Sequence, residues 1–152
     1  MLIDLDKQKV LRIIDANLNR SREGLRVCED IARFLLNDAK SARKFKTIRQ
    51  NIFSAIKDSK IDYLELLKER DSAGDVGKFT TKKESARGNW QSVFLANIER
   101  AKESTRVLEE LFKIVNKRLA EKFKKIRFAI YDIEKEVIIK HQSLSNSKHN
   151  RL

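Results

Sequence analysis

Apolar residues recur at helical spacing along most of this chain, and no stretch alternates apolar and polar residues between turn signals as a strand would. Leu18, Ser21, Leu25, Cys28, Ala32 and Leu35 fall at steps of three and four, as an a/d seam does. Ile98, Ala101, Thr105, Leu108, Phe112 and Val115 repeat that seam eighty residues later. The pattern predicts a first helix from near Asp4 or Asp6 to about Leu36, ended by Asn37-Asp38. It predicts a second helix over roughly 39–58 and a short third from Ile61 to about Glu69, with Ser59 and Asp62 at capping spacing. A fourth runs from about Lys82 to Asn116, opened by Thr81 and Glu84, and a fifth from about Arg118 to His141. The expected class is all-α: one domain over 1–142, then a polar tail, 143–152, expected to be disordered.

The two seams belong to a larger repeat. Residues 16–29, ANLNRSREGLRVCE, share seven of fourteen positions with 96–109, ANIERAKESTRVLE. KFKTIRQNI at 44–52 then matches KFKKIRFAI at 122–130, at an offset of 78 instead of 80. The chain thus reads as two copies of one helical hairpin, about 10–58 and 90–138, the second with a turn two residues shorter. Each hairpin has an apolar face that it cannot bury alone. Packing the two about a pseudo-twofold axis gives a four-helix bundle, with a short extra helix and a long central loop between them.

A second seam lies beside each a/d seam: Asn17, Arg20, Gly24, Val27, Ile31 and Phe34 in the first copy, and Asn97, Arg100, Ser104, Val107, Leu111 and Ile114 in the second. Its first half is polar where a plain bundle would carry leucine. Arg20 and Arg100 are expected to face inward, with Glu23, Arg26, Glu103 and Arg106 flanking them. A buried arginine needs an anionic partner. Gly24 and Ser104 leave room one turn on, and a mid-helix glycine costs about 1 kcal/mol against alanine. The paired Asn/Arg stripes therefore predict a phosphate site, with carboxylates orienting arginine or holding Mg²⁺. The plainer alternative is a ladder of i,i+3 ion pairs such as Arg20–Glu23, worth about 0.2–0.5 kcal/mol each.

The stretch RDSAGDVGKFT, residues 70–80, has no periodicity, and so long a loop in a compact bundle is uncommon without a function. Arg70 is a candidate phosphate contact, and Asp71 and Asp75 are candidate metal ligands; the alternative is an ordinary crossover loop. The stretch resembles a P-loop only at a glance. Ser72 stands where the first glycine belongs, Phe79 follows the lysine, and no strand precedes it. Arg49 and Arg127 are repeat partners expected at the surface, the alternative being that they close the site, and His141 and His149 are expected in solvent. No His/Cys set has zinc spacing.

Composition narrows the ligand class. With 34 Lys+Arg against 22 Asp+Glu the net charge is +12 and the pI is near 9.9, which favours anionic partners. Acidic residues interleave with the basic ones in both repeats and aromatics make up only 7%, so nucleic acid is disfavoured. No apolar run is long enough to span a bilayer. One cysteine, Cys28, forms no intramolecular disulfide, and with no evident signal peptide the expected setting is cytoplasmic. Homo-oligomerisation stays open.

The stretches DANLNRSREGLRVCEDIARF, RDSAGDVG and ANIERAKESTRVLEEL, in that order, resemble a small bacterial family of hydroxymethylpyrimidine-phosphate kinases of thiamine biosynthesis. Its members occur alone or fused ahead of thiamine-phosphate synthase. The resemblance covers about residues 10–138, and this chain reads Asp75-Val76-Gly77 where many members have Asp-Pro-Gly. It implies a stand-alone enzyme that uses ATP and Mg²⁺ to convert 4-amino-5-hydroxymethyl-2-methylpyrimidine phosphate to the diphosphate. On that implication Arg20, Arg100, Glu23 and Glu103 are the catalytic candidates. Asn17, Asn97, Arg26, Arg106 and Arg70 would bind substrate and phosphate, and Asp71 and Asp75 the metal. The rival readings are a non-catalytic module that binds thiamine intermediates or the synthase, and a basic nucleic-acid-binding bundle.

Overall fold

In the computed structural model, which describes residues 4–81 and 86–142, the helices are α1 (Asp4–Asp30), α2 (Ala39–Asp58), α3 (Tyr63–Lys68), α4 (Trp90–Val115) and α5 (Lys117–Lys140). Among the described residues there is no strand. None of the helices is long and apolar enough to cross a membrane. The long hairpins α1/α2 and α4/α5 form the bundle, and α3 packs on α1.

The duplication is visible in the burial. Residues 20–30 and 100–110 have the same sequence of buried and exposed positions, residue for residue. In the second helices, Phe45, Ile48, Ile52 and Ala55 are buried, as are their partners Phe123, Ile126, Ile130 and Ile133. The 78-residue offset has its origin in the turns. Asp38 caps α2 by accepting from Ser41 N, and its repeat partner Asn116 caps α5 by accepting from Arg118 N and Leu119 N. In the first hairpin the chain reaches its cap through a widened turn, Ile31–Leu35, closed by Leu36 N–H to Ile31 O at 3.0 Å, and through Asn37 at φ 50°. In the second, Asn116 ends α4 and opens α5 at once.

α1 and α4 pack along their lengths and run antiparallel. A Cβ on Gly24 would lie 2.8 Å from Asn97 O, and the Cys28 thiol lies 3.8 Å from Phe94 O, so the register advances on one helix as it falls back on the other. The register brings Ser21 opposite Ala101 at the pseudo-twofold axis, and both are fully buried. α2 and α5 are likewise antiparallel, joined by Lys44–Glu136 at 2.6 Å and by Asp38 to Lys140 and His141. The core fills the space between the two layers, with Phe112 stacked on Phe123 at 5.2 Å and Phe45 edge-on to Phe94 at 6.1 Å.

Several expectations are corrected. Leu35 and Val115 close their seams by period but are exposed, because the widened turn rotates Leu35 outward and α4 ends at Val115. α4 does not begin near Lys82. Residues 86–89 are non-helical, and Asn89 caps the helix by accepting from Ser92 N at 2.8 Å. The Glu84 half of the predicted capping box lies outside the described residues, as do the tail 143–152 and His149. Asp62, not Ser59, caps α3, by accepting from Leu64 N, and Ser59 ends α2. His141 is not free in solvent: its Nε2 is 3.2 Å from Asp38 Oδ2.

Candidate functional site

The a/d seam turns Leu11, Ile14 and Leu18 into the core, which leaves Arg12, Ala16, Arg20 and Glu23 on the outer face of α1. The 70–77 loop folds over this face and encloses a cleft of about 660 Å³. Of the residues singled out in the sequence, the cleft gathers Asn17, Arg20, Glu23, Arg70, Asp71 and Asp75. It adds Lys9, Arg12, Ile13 and Asp15, which sequence reasoning missed. Asp15 carried a signal: it is a carboxylate beside three core positions of its own helix.

The loop is fastened at its start. Arg70 donates from Nε and Nη2 to the two Asp15 oxygens, each at 2.8 Å, and Arg12 donates to Asp71 O at 2.9 Å. The Asp15 carboxylate beside it, with Tyr63 adding, holds the Arg70 guanidinium proton more tightly than usual. Arg70 is therefore a structural strut of the loop. Two side-chain turns shape the rest: Asp71 accepts from Gly74 N at 2.8 Å and Asp75 from Gly77 N at 2.9 Å. Each bond uses Oδ1. A Cβ on Gly74 would meet the Asp71 carboxylate, so a larger residue there would push that side chain out of its turn.

Arg20 and Arg100 are exposed, against the inward placement that the seam suggested. The room left by Gly24 is filled by the backbone of α4. Ser104, its partner, donates to Arg100 O at 2.7 Å. Asn17 and Asn97 make equivalent bonds, Nδ2 to Ile13 O and to Val93 O, so each amide braces its own helix and keeps Oδ1 as an acceptor. The predicted ladder of ion pairs forms only in part. Arg26 pairs with Glu29 and Asp30, and Arg106 with Glu110. Arg20, Glu23, Arg100 and Glu103 take no ion pair among the described residues.

The cleft is not shared equally by the repeats. Asn97, Arg100, Glu103 and Arg106 do not line it. The antiparallel register brings Arg100 opposite Ser21–Arg22 and Glu103 opposite Asn19, on the adjoining outer face of α4. Nothing in the second repeat corresponds to Asp15, whose partner position is Leu95.

Arg49 and Arg127, expected at the surface, instead tie each hairpin together. Arg49 Nε donates to Glu29 at 3.0 Å, and Arg127 Nε to Glu109 at 2.9 Å. The Arg127 side chain is only 10% exposed, and the Glu109 carboxylate raises the affinity of its guanidinium for the proton. Lys102 lies between Glu99 and Glu134 at 2.6 and 2.7 Å. Burial would lower its pKa, but the two carboxylates outweigh that and raise it. Burial, with Glu134 nearby, pushes the Cys28 thiol far above its ordinary range and makes it inert.

No group of three or more His, Cys, Asp or Glu is gathered for a metal among the described residues. Mg²⁺ does not need one: it is held by one or two carboxylates together with phosphate oxygens and water. Asp71 and Asp75, which both line the cleft and each accept one loop N–H, would be the carboxylates to hold it.

Residues 12–136 match the model of the ThiD2 family, and the chain belongs to that family. It is 39% identical over 145 residues to a thiamine-phosphate synthase of Nostoc punctiforme, covering 93% of this chain and 40% of the relative. It is 34% identical over 152 residues to one of Rhodopirellula baltica, covering 99% and 40%. A Synechocystis thiamine-phosphate synthase is 36% identical over 126 residues, covering 82% and 35%. The chain thus spans no more than about 40% of the length of these curated relatives. No solved structure matches it.

Proposed function

We propose that this member of the ThiD2 family acts in thiamine biosynthesis as a kinase, converting 4-amino-5-hydroxymethyl-2-methylpyrimidine phosphate to the diphosphate with ATP in the cleft between α1 and the 70–77 loop. The observation that carries this reading is the pair Arg20 and Glu23. Both line an open cleft without an ion-pair partner among the described residues, while Arg26 and Glu29, one turn on, are paired. The family match and the relatives named thiamine-phosphate synthase support the pathway.

The chemistry suits a site with no evident general base. A phosphate oxygen of the substrate attacks the terminal phosphorus of ATP. The bond to the β,γ-bridging oxygen breaks, ADP leaves with that electron pair, and a P–O–P bond forms. The nucleophile is already an anion, so catalysis reduces to positioning and charge neutralisation. Lys9, Arg12 and Arg20 supply positive charge along one wall. Mg²⁺, held by Asp71 and Asp75 with Glu23 nearby, would neutralise the phosphate chain when bound. A substrate without its phosphate would leave the cationic wall without a partner, so the free alcohol is a poor substrate.

A second reading, a non-catalytic module serving the synthase, is favoured by one observation: the chain matches about 40% of relatives named for a different activity. One experiment separates the two. The pure protein is incubated with Mg²⁺-ATP and the pyrimidine phosphate, with the free alcohol in parallel, and the products are read by mass spectrometry. Diphosphate from the phosphate alone supports the kinase. A folded protein that forms none moves the binding module to first place.

A further inference from the structure

Ile13 and Val76 are exposed apolar side chains beside the cleft. The core side of this part of α1 is served by Leu11, Ile14 and Leu18, yet Ile13 stands on the other face, 43% exposed. Val76 is fully exposed at the tip of the loop. Scattered apolar side chains on a surface are ordinary. These two line the same cleft, one from each wall, and the other side chains there are mostly charged or amide-bearing. Ala16, one turn from Ile13, continues the apolar strip on α1.

We propose that Ile13 and Val76 are the two jaws of a subsite for a planar heteroaromatic ring that carries a phosphate. The proposal rests on the kinase reading for the identity of that ring, the pyrimidine of the substrate. Apolar jaws on opposite walls cover both faces of a flat ring and leave its edges to polar groups. Asn17 Oδ1, left free because Nδ2 is committed to Ile13 O, is an acceptor in the cleft for an exocyclic amine. The distance to the cations selects the ligand. Ile13 and Arg20 are seven residues apart, about 10 Å along the helix, a span shared between the ligand and the long arginine side chain. That suits a ring joined to its phosphate by one methylene. In ATP a ribose and two further phosphates separate the base from its terminal phosphate, so adenine in the jaws would carry the reacting phosphorus past Arg20.

The test replaces Ile13→Ala and Val76→Ala, singly and together, in the full chain. Both side chains are exposed, so the fold is unaffected, and far-UV circular dichroism verifies that. Binding of the pyrimidine phosphate is measured by calorimetry without ATP, and both KM values are measured by turnover. The expected result is a 5- to 10-fold weaker pyrimidine phosphate for each single variant, unchanged KM for ATP, and recovery by Val76→Ile. Unchanged pyrimidine-phosphate binding in the double variant overturns the jaws, while wild-type turnover would leave the kinase reading standing. A rise in the KM for ATP alone overturns them too, and assigns the pair to adenine. A wild-type protein that binds the pyrimidine phosphate and weakens as expected, yet transfers no phosphate, retains the jaws and removes the kinase.

Discussion

Arg70 grips Asp15 across 55 residues of chain with two bonds of 2.8 Å, and this pair joins the 70–77 loop to the first helix. Asp15 is buried, whereas Arg70 is partly open to solvent. Arg70→Ala leaves a buried carboxylate without its partner and is expected to cost about 1–2 kcal/mol in urea unfolding, less than a fully buried pair because of solvent screening. Arg70→Lys keeps the charge but not the fork, and should recover less than half of that loss. A variant as stable as the wild type would show the strut to be idle.

Gly24→Ala sets helix propensity against packing. Alanine favours the helix by about 1 kcal/mol. Its Cβ, however, would lie 2.8 Å from a backbone oxygen, Asn97 O, which cannot swing aside as a side chain does. Overpacking of this kind costs about 1–3 kcal/mol, so the variant should melt below the wild type by calorimetry. A higher melting temperature would mean that α1 and α4 can separate without loss.

The two arginine–glutamate ties differ in burial, so their removal should differ in cost. Arg127→Ala strands Glu109 in a nearly closed site and should cost about 3–5 kcal/mol. Arg49 is 22% exposed, and Arg49→Ala should cost about 1–2 kcal/mol. Denaturant titration of both variants checks the order. Arg127→Met with Glu109→Leu should regain much of the loss.

Asp38 gives the fold an acid-sensitive end. Burial alone would raise its pKa. The Ser41 hydroxyl and N–H, with His141 and Lys140, outweigh that and hold it well below the usual carboxylate range. A carboxyl lowered on folding contributes stability that is complete above its unfolded pKa, about 3.9, and is lost as pH falls through the folded value. Asp38→Ala should therefore cost about 1 kcal/mol at pH 7 as a lost cap. The gap to the wild type should narrow below pH ~4. Melting curves from pH 2 to pH 7 check both the cost and its direction.

Arg20→Ala should lower phosphoryl transfer by about 100-fold or more, as loss of a transition-state charge contact does, with helicity unchanged. Arg100→Ala should also impair it, because the register brings Arg100 beside the same crossing. A normal rate in Arg100→Ala, with Arg20→Ala inactive, would confine the site to the first repeat.

The sequence by itself determined the helices, the duplication and the bundle, because these follow from local spacing. The three-and-four rhythm from Leu18 to Ala32 and from Ile98 to Phe112 names the buried faces, and the two-residue change in offset names the shorter turn. It also marked segments that the fold brings together: Asn17, Arg20, Glu23, Asp71 and Asp75 line one cleft. What it gave no access to was the direction of charged side chains at the edge of a seam. Arg20 sits at a position that the period assigns to the interior, but α4 lies so close at Gly24 that a long side chain is turned out to solvent. Partners distant in sequence were equally hidden. The bond from Arg70 to Asp15 is not legible in the sequence, and Arg49 and Arg127 read as surface residues until Glu29 and Glu109 face them. Periodicity is a property of one helix, whereas the partner of a charge is chosen by the packing of several, and only the tertiary structure decides that.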